Sequence, residues 1–132
     1  MSNITELSHI ALVVKDLNKM IDFYKFFAEM EVVHQRDDDG IRVAWLKLPK
    51  EKSFIIVMIE VKESPESNGY QRFNHFGFDT DSKEKVDEIS QKAELNNCIV
   101  HKAMDGGKIL GYFCMLKDPE GNNLEFASGQ MR

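Results

Sequence analysis

An α+β fold, built from two copies of one strand-helix-strand-strand-strand module, is predicted for this 132-residue chain. Three observations predict it. The apolar periodicities run through that series twice, at residues 8–61 and again at 74–127. The stretch between them, 62–73 ("KESPESNGYQRF"), is the most loop-like in the chain and reads as a linker. Each copy also opens on a strand histidine and closes on a strand glutamate. The two modules are expected to make a single domain: an open, cup-like mixed sheet with the helices on its outer face.

The elements follow in order. "SHIALVV" (Ser8 to Val14) is a strand by its β-branched content. Asp16 then reads as a helix N-cap, and Leu17, Met20, Ile21, Tyr24 and Phe27 recur at helical spacing. "EVVHQ" (Glu31 to Gln35) is a short strand, and Asp37-Asp38-Asp39-Gly40 a polar turn. "IRVAWLKL" (Ile41 to Leu48) and "SFIIVMIEV" (Ser53 to Val61) complete the first copy. The second copy restarts with the strand "NHFGFDT" (Asn74 to Thr80). Asp81 with Glu84 resembles a capping box, and Val86, Ile89 and Ala93 mark the helix. "CIVHKAM" (Cys98 to Met104), "ILGYFCMLK" (Ile109 to Lys117) and "NNLEFAS" (Asn122 to Ser128) are three further strands. Asp118-Pro119-Glu120-Gly121 is the tight turn before the last of them.

Composition narrows the partners. The chain carries a net charge of −5, with no basic stripe to meet phosphates, which argues against a nucleic-acid partner. No apolar run reaches the roughly 18 residues of a membrane span, and the N-terminus shows no signal-peptide pattern. Cys98 and Cys114 lack a C-x-x-C spacing and read as two free thiols of a reducing cytosol. A cytoplasmic protein is expected.

Glu125 poses the chemical question. It stands between Leu124 and Phe126 on the last strand, and a carboxylate buried without a partner is costly. Strand parity sets His9 with Ala11 and Val13, His75 with Gly77 and Asp79, and Glu125 with Asn123 and Ala127. The same alternation sets Glu60 with Ile56 and Met58. His9 and His75 stand 66 residues apart, and Glu60 and Glu125 stand 65 apart. Related copies around a pseudo-two-fold axis would bring all four side chains together inside the cup. Two imidazoles and one or two carboxylates suit one divalent ion such as Zn, Ni, Mn, Co or Fe. Each residue alone has an ordinary reading: a satisfied core histidine, or a surface carboxylate. His34 and His101, on the third element of each copy, read as exposed strand residues. Trp45, Met58, Phe113 and Met115 read as core before they read as pocket lining.

The stretches "SHIALVVKDLNKMIDFY", "NHFGFDT" and "DPEGNNLEF" resemble the vicinal oxygen chelate superfamily. That superfamily includes glyoxalase I, methylmalonyl-CoA epimerase, fosfomycin-resistance enzymes, extradiol dioxygenases and bleomycin-resistance proteins. The resemblance covers nearly the whole chain and implies paired βαβββ modules around one metal. The family's ligand pattern falls on His9, His75 and Glu125, and the fourth position of its glyoxalase-like branch on Glu60. It implies a metal-dependent lyase or isomerase that chelates adjacent oxygens of a small substrate and stabilises an enediolate, with Glu60 or Glu125 as general base. The alternative is a protein that binds or sequesters an antibiotic or toxin, or a dioxygenase-like member. A homodimer is expected by the same analogy. The sequence departs from some branches. Val13 and Ser64 stand where glutathione-dependent glyoxalases carry Arg and Asn, Met115 where extradiol dioxygenases carry Tyr, and Glu60 where epimerases usually carry Gln.

Overall fold

The structure is a computed structural model and describes residues 9–50, 53–62 and 75–130. The expected linker falls almost entirely outside the described residues, as do Ser8 and Asn74. The chain divides into two compact units, Met1–Ser67 and Asn68–Arg132.

The first unit contains β1 (His9–Val14), α1 (Leu17–Ala28), β2 (Glu31–Asp38), β3 (Ile41–Lys47) and β4 (Ile55–Glu60). Its sheet order is β1-β4-β3-β2, with β1 and β4 parallel and the other pairs antiparallel. Asp16 caps α1 as expected: its side chain accepts the Lys19 N–H at 3.1 Å. The apolar stripe of α1, from Leu17 through Met20, Tyr24 and Phe27, is buried, and the helix packs on β3 and β4. β2 runs to Asp38, beyond its expected end at Gln35. The reversal needs only Asp39 and Gly40, both at positive φ (54° and 88°), so the acidic residues before them join the ladder.

The second unit contains β5 (Phe76–Asp79), α2 (Lys83–Leu95), β6 (Ile99–Asp105), α3 (Gly107–Leu110), β7 (Tyr112–Lys117) and β8 (Asn123–Ser128). Its order is β5-β8-β7-β6, again with one parallel pair, β5 and β8. α2 starts one residue later than the capping-box reading: Ser82, not Asp81, accepts the Lys85 N–H, at 3.1 Å. Ile109 and Leu110 were expected in a strand and lie instead in the single turn α3. Gly111 sets that break with a φ of +72°, and a Cβ there would meet the Ser128 carbonyl oxygen at 2.5 Å.

The fold is thus α+β, two four-stranded mixed sheets with three helices among the described residues. In the second unit α2 covers β6, β7 and β8. Cys114, Leu116, Leu124 and Phe126 are buried on that side, and Phe78 stacks on Phe126 with ring centroids 5.1 Å apart. Cys98 and Cys114 are both free thiols. No helix among the described residues is long and apolar enough to cross a membrane.

Candidate functional site

Residues paired across a ladder share a face, so register decides which candidate side chains can meet. In the second unit Gly77 pairs with Glu125, Glu125 with Met115, and Met115 with His101. This row crosses the sheet on the face away from Phe126 and α2. His75 precedes Gly77 by two and falls on the same face by alternation, where it is exposed. The expected parity of β5 and β8 therefore holds.

Glu125 is 8% exposed. Gln130 donates from its side-chain nitrogen to Glu125 Oε2 at 3.0 Å. The neighbour across the parallel pair has no side chain: a Cβ on Gly77 would lie 3.3 Å from that same Oε2. Gly77 thus leaves the carboxylate the space it occupies. The preceding turn is held by Asp118, 4% exposed, whose carboxylate accepts the N–H groups of Glu120 and Asn122, each at 2.9 Å. Gly121 closes it at φ +88°. One end of β8 is therefore fixed before Glu125 is reached.

The first unit does not repeat this chemistry. Ala11, two residues after position 9, pairs with Val57, just as Gly77 pairs with Glu125. Val57 is the register match of Glu125. Glu60 pairs with Val14 and lies, with Ile56 and Met58, on the face opposite position 9. There it is 6% exposed and accepts the Leu17 N–H at 2.8 Å. Arg42 Nε stands 3.2 Å from its Oε1. Glu60, expected among the ligands or as the base, is placed by this register on the α1 side of its own sheet. Its oxygens are engaged with the start of α1 and with β3. The face assignment of β4 is corrected with it, because Ile55, Val57 and Ile59 share the side of position 9 while Met58 belongs to the core. The side chain of His9 lies outside the described residues, whereas its backbone opens β1.

His34 and His101 each lie tilted against an aromatic ring: His34 against Trp45 with centroids 4.9 Å apart, His101 against Phe113 at 5.7 Å. His101 Nδ1 is 2.8 Å from the Lys102 carbonyl. A carbonyl only accepts, so Nδ1 carries the proton in neutral His101 and Nε2 keeps its lone pair. His101 thus belongs to the row of Glu125, which chain position alone did not reveal. Gln130 was also missed; it lies after the last recognisable motif.

The donors fit a metal in kind. An imidazole just ahead of β5 and a carboxylate on its parallel neighbour β8, one exposed and one buried, match divalent ions such as Zn, Mn or Fe. Among the described residues no three His, Cys, Asp or Glu side chains converge into a metal-binding group. The second unit offers the pair His75 and Glu125.

The family model described as glyoxalase/bleomycin resistance protein/dioxygenase superfamily matches residues 6–126. The chain belongs to this superfamily. A superfamily relative, the uncharacterized protein PA2024 of Pseudomonas aeruginosa, is 36% identical over 124 residues, covering 94% of this chain and 89% of its own. The fosfomycin resistance protein FosX of Listeria innocua is 35% identical over 94 residues, 70% of this chain and 66% of its own. Among solved structures of the superfamily, a FosX variant from Listeria monocytogenes, complexed with Mn(II) and 1S,2S-dihydroxypropylphosphonic acid, matches at TM-score 0.74 and 22% identity. That match covers 97% of this chain and 94% of the other.

Proposed function

We propose that this chain is a divalent-metal-dependent enzyme acting on a small molecule that presents two adjacent oxygens, with His9, His75 and Glu125 as the metal ligands. The observation that carries this reading is the placement of Glu125: a buried carboxylate beside a glycine, on the same face as exposed His75. A carboxylate in that setting needs a cation or several donors to offset its burial. The bound metal would supply Lewis-acid stabilisation of a developing negative oxygen, worth roughly several kcal/mol.

The residues of the chain do the rest. Glu125 and His75 fix the seat of the substrate's oxygens on the second sheet. Met115 and half-buried Phe113 give that face apolar ground on which the carbon part of the substrate rests. Glu60 is engaged elsewhere, so the proton-accepting role is assigned to His101 Nε2, in the row of Glu125 across Met115. Imidazole is the commonest general base, and the Lys102 carbonyl fixes its tautomer.

A lyase or isomerase of the glyoxalase kind is the first reading. A fosfomycin-resistance-type protein is the second, supported by the identity to FosX over 94 residues. The dihydroxypropylphosphonic acid of the FosX complex carries adjacent hydroxyls, the feature this site is proposed to chelate. A cytoplasmic homodimer completes the proposal by analogy. The test is elemental analysis of protein purified without chelator. It is followed by turnover assays with glutathione hemithioacetals, acyl-CoA thioesters, catechols, and fosfomycin with and without a thiol. About one metal per chain and turnover of one class are expected. Absence of metal after adding Zn, Ni, Mn, Co or Fe would leave the sequestering reading in its place.

A further inference from the structure

We propose that Gln130 is a positioning residue for Glu125, tying its carboxylate to the loop Gly106–Gly111; this rests on the reading of Glu125 as a metal ligand. The side-chain nitrogen of Gln130 donates to Glu125 Oε2 at 3.0 Å and to the Leu110 carbonyl at 3.2 Å. Both partners, a carboxylate and a carbonyl, accept. The chemistry therefore fixes which way the amide faces, and both of its N–H bonds are used. The donor is neutral, so Glu125 keeps its full negative charge for a cation. One oxygen is oriented and the other is left for ligation. A lysine in this place would cancel the charge, and an acid would repel it. Hydrogen bonds of this kind to a ligand carboxylate set its direction and basicity.

An independent contact seats the loop on the same C-terminal segment. At Gly111 an added Cβ would lie 2.5 Å from the Ser128 carbonyl oxygen and 2.8 Å from the Gln130 backbone nitrogen, so only glycine permits this approach. The loop is closed on itself: the Gly106 N–H donates to the Gly111 carbonyl at 2.7 Å, and the Gly111 N–H to the Gly107 carbonyl at 2.8 Å. Its tip carries exposed Ile109 and Leu110. Drawing Leu110 away would remove one of the two acceptors of Gln130 and loosen the amide that holds Glu125. The loop and the carboxylate form one mechanical unit, so substrate pressing on the apolar tip would be felt at the metal ligand.

Mn(II) alone is the probe, with free ion measured by electron paramagnetic resonance. Wild type, Gln130→Met, Gln130→Ala and Glu125→Ala are titrated side by side. Gln130→Met keeps the length and bulk of the side chain and removes the donor. Both Gln130 variants are expected to bind Mn(II) roughly tenfold or more weakly than wild type, with a cooperative urea transition retained, and Glu125→Ala is expected to abolish binding. Wild-type affinity in Gln130→Met means that bulk suffices and overturns the proposal. In metal-free protein, hydrogen exchange at the Gly107–Gly111 amides is expected to quicken in both Gln130 variants, and unchanged exchange overturns the tether. If wild type takes up neither Mn(II) nor added Zn, Ni, Co or Fe, the metal role of Glu125 falls, and the tether stands or falls on the exchange result alone.

Discussion

Glu60 on β4 accepts the backbone N–H of Leu17 at 2.8 Å, so the first turn of α1 is held from the sheet beneath it as well as from its own N-cap. A carboxylate at a helix N-terminus satisfies an orphan donor and meets the positive end of the helix dipole. Arg42 adds a close ion pair at 3.2 Å, off the angle of a hydrogen bond, with its Nε buried against Glu60.

Removing that acceptor is expected to destabilise the first unit. Glu60→Ala should cost about 1.5–3 kcal/mol, the range for a hydrogen bond to a charged group, and Glu60→Gln, which keeps an acceptor, should cost less. Urea midpoints measure both. Metal affinity in Glu60→Gln should equal that of wild type; a tenfold loss would put Glu60 back among the ligands.

On the other face of the second sheet, the ligand assignment makes its own demand. His75→Ala should lower divalent-metal occupancy by roughly an order of magnitude or more, since a three-ligand site loses a third of its protein donors. The same change should leave the unfolding midpoint of the metal-free protein near wild type, because His75 is exposed. Equilibrium dialysis with Zn and Mn reads the first and chemical denaturation the second. Unchanged stoichiometry and affinity would remove His75 from the site.

Phe126 belongs to the opposite, α2-covered side. It is 2% exposed and stacked on Phe78. Phe126→Ala should therefore cost about 3–5 kcal/mol, the usual range for a buried Phe. A loss below 1 kcal/mol would mean that the two faces of β8 are interchanged.

Cys114 offers a pH-dependent test. Burial first, then Asp87 and Glu125, push its thiol up to about 12. The folded state thus holds the proton more tightly than the unfolded chain. The resulting stability is fully present below about pH 9, the ordinary thiol value in the unfolded chain, and is lost as pH rises toward 12. Urea midpoints should fall between pH 8.5 and pH 10.5 (roughly the start of that window), and fall less in Cys114→Ala. Iodoacetamide at pH 8 should leave native Cys114 unmodified, since the thiolate is the nucleophile.

The sequence made much of this legible, and the failures share one physical cause. The apolar stripe of α1, the cap at Asp16 and the alternation around Glu125 are local patterns, and local patterns can be read along the chain. Register is not local. His9 to Glu60 and His75 to Glu125 span nearly equal numbers of residues. The register match of Glu125 lies 48 residues after position 9, whereas Glu125 lies 50 after His75 and Glu60 lies 51 after position 9, so Glu60 falls three places past Val57. That slip of three inverts the face. α3 escaped notice because one helical turn carries no period, and Ser82 because it competes with its neighbour Asp81 for the same cap. Gln130 could not be seen at all: nothing in "ASGQ" says that the amide turns back to Glu125.

Valine and glutamate are neighbours in the genetic code, where GTA and GTG become GAA and GAG through one base change. Where its codon ends in A or G, Val57 stands a single nucleotide from the carboxylate that its register match already carries. The position is half-buried beside exposed Ala11, so the new group would emerge on open ground rather than in a sealed core. A second acidic donor on the side of position 9 thus lies within reach of ordinary mutation. A lineage pressed toward a harder ion, or toward a different transformation, would find it without rebuilding a strand.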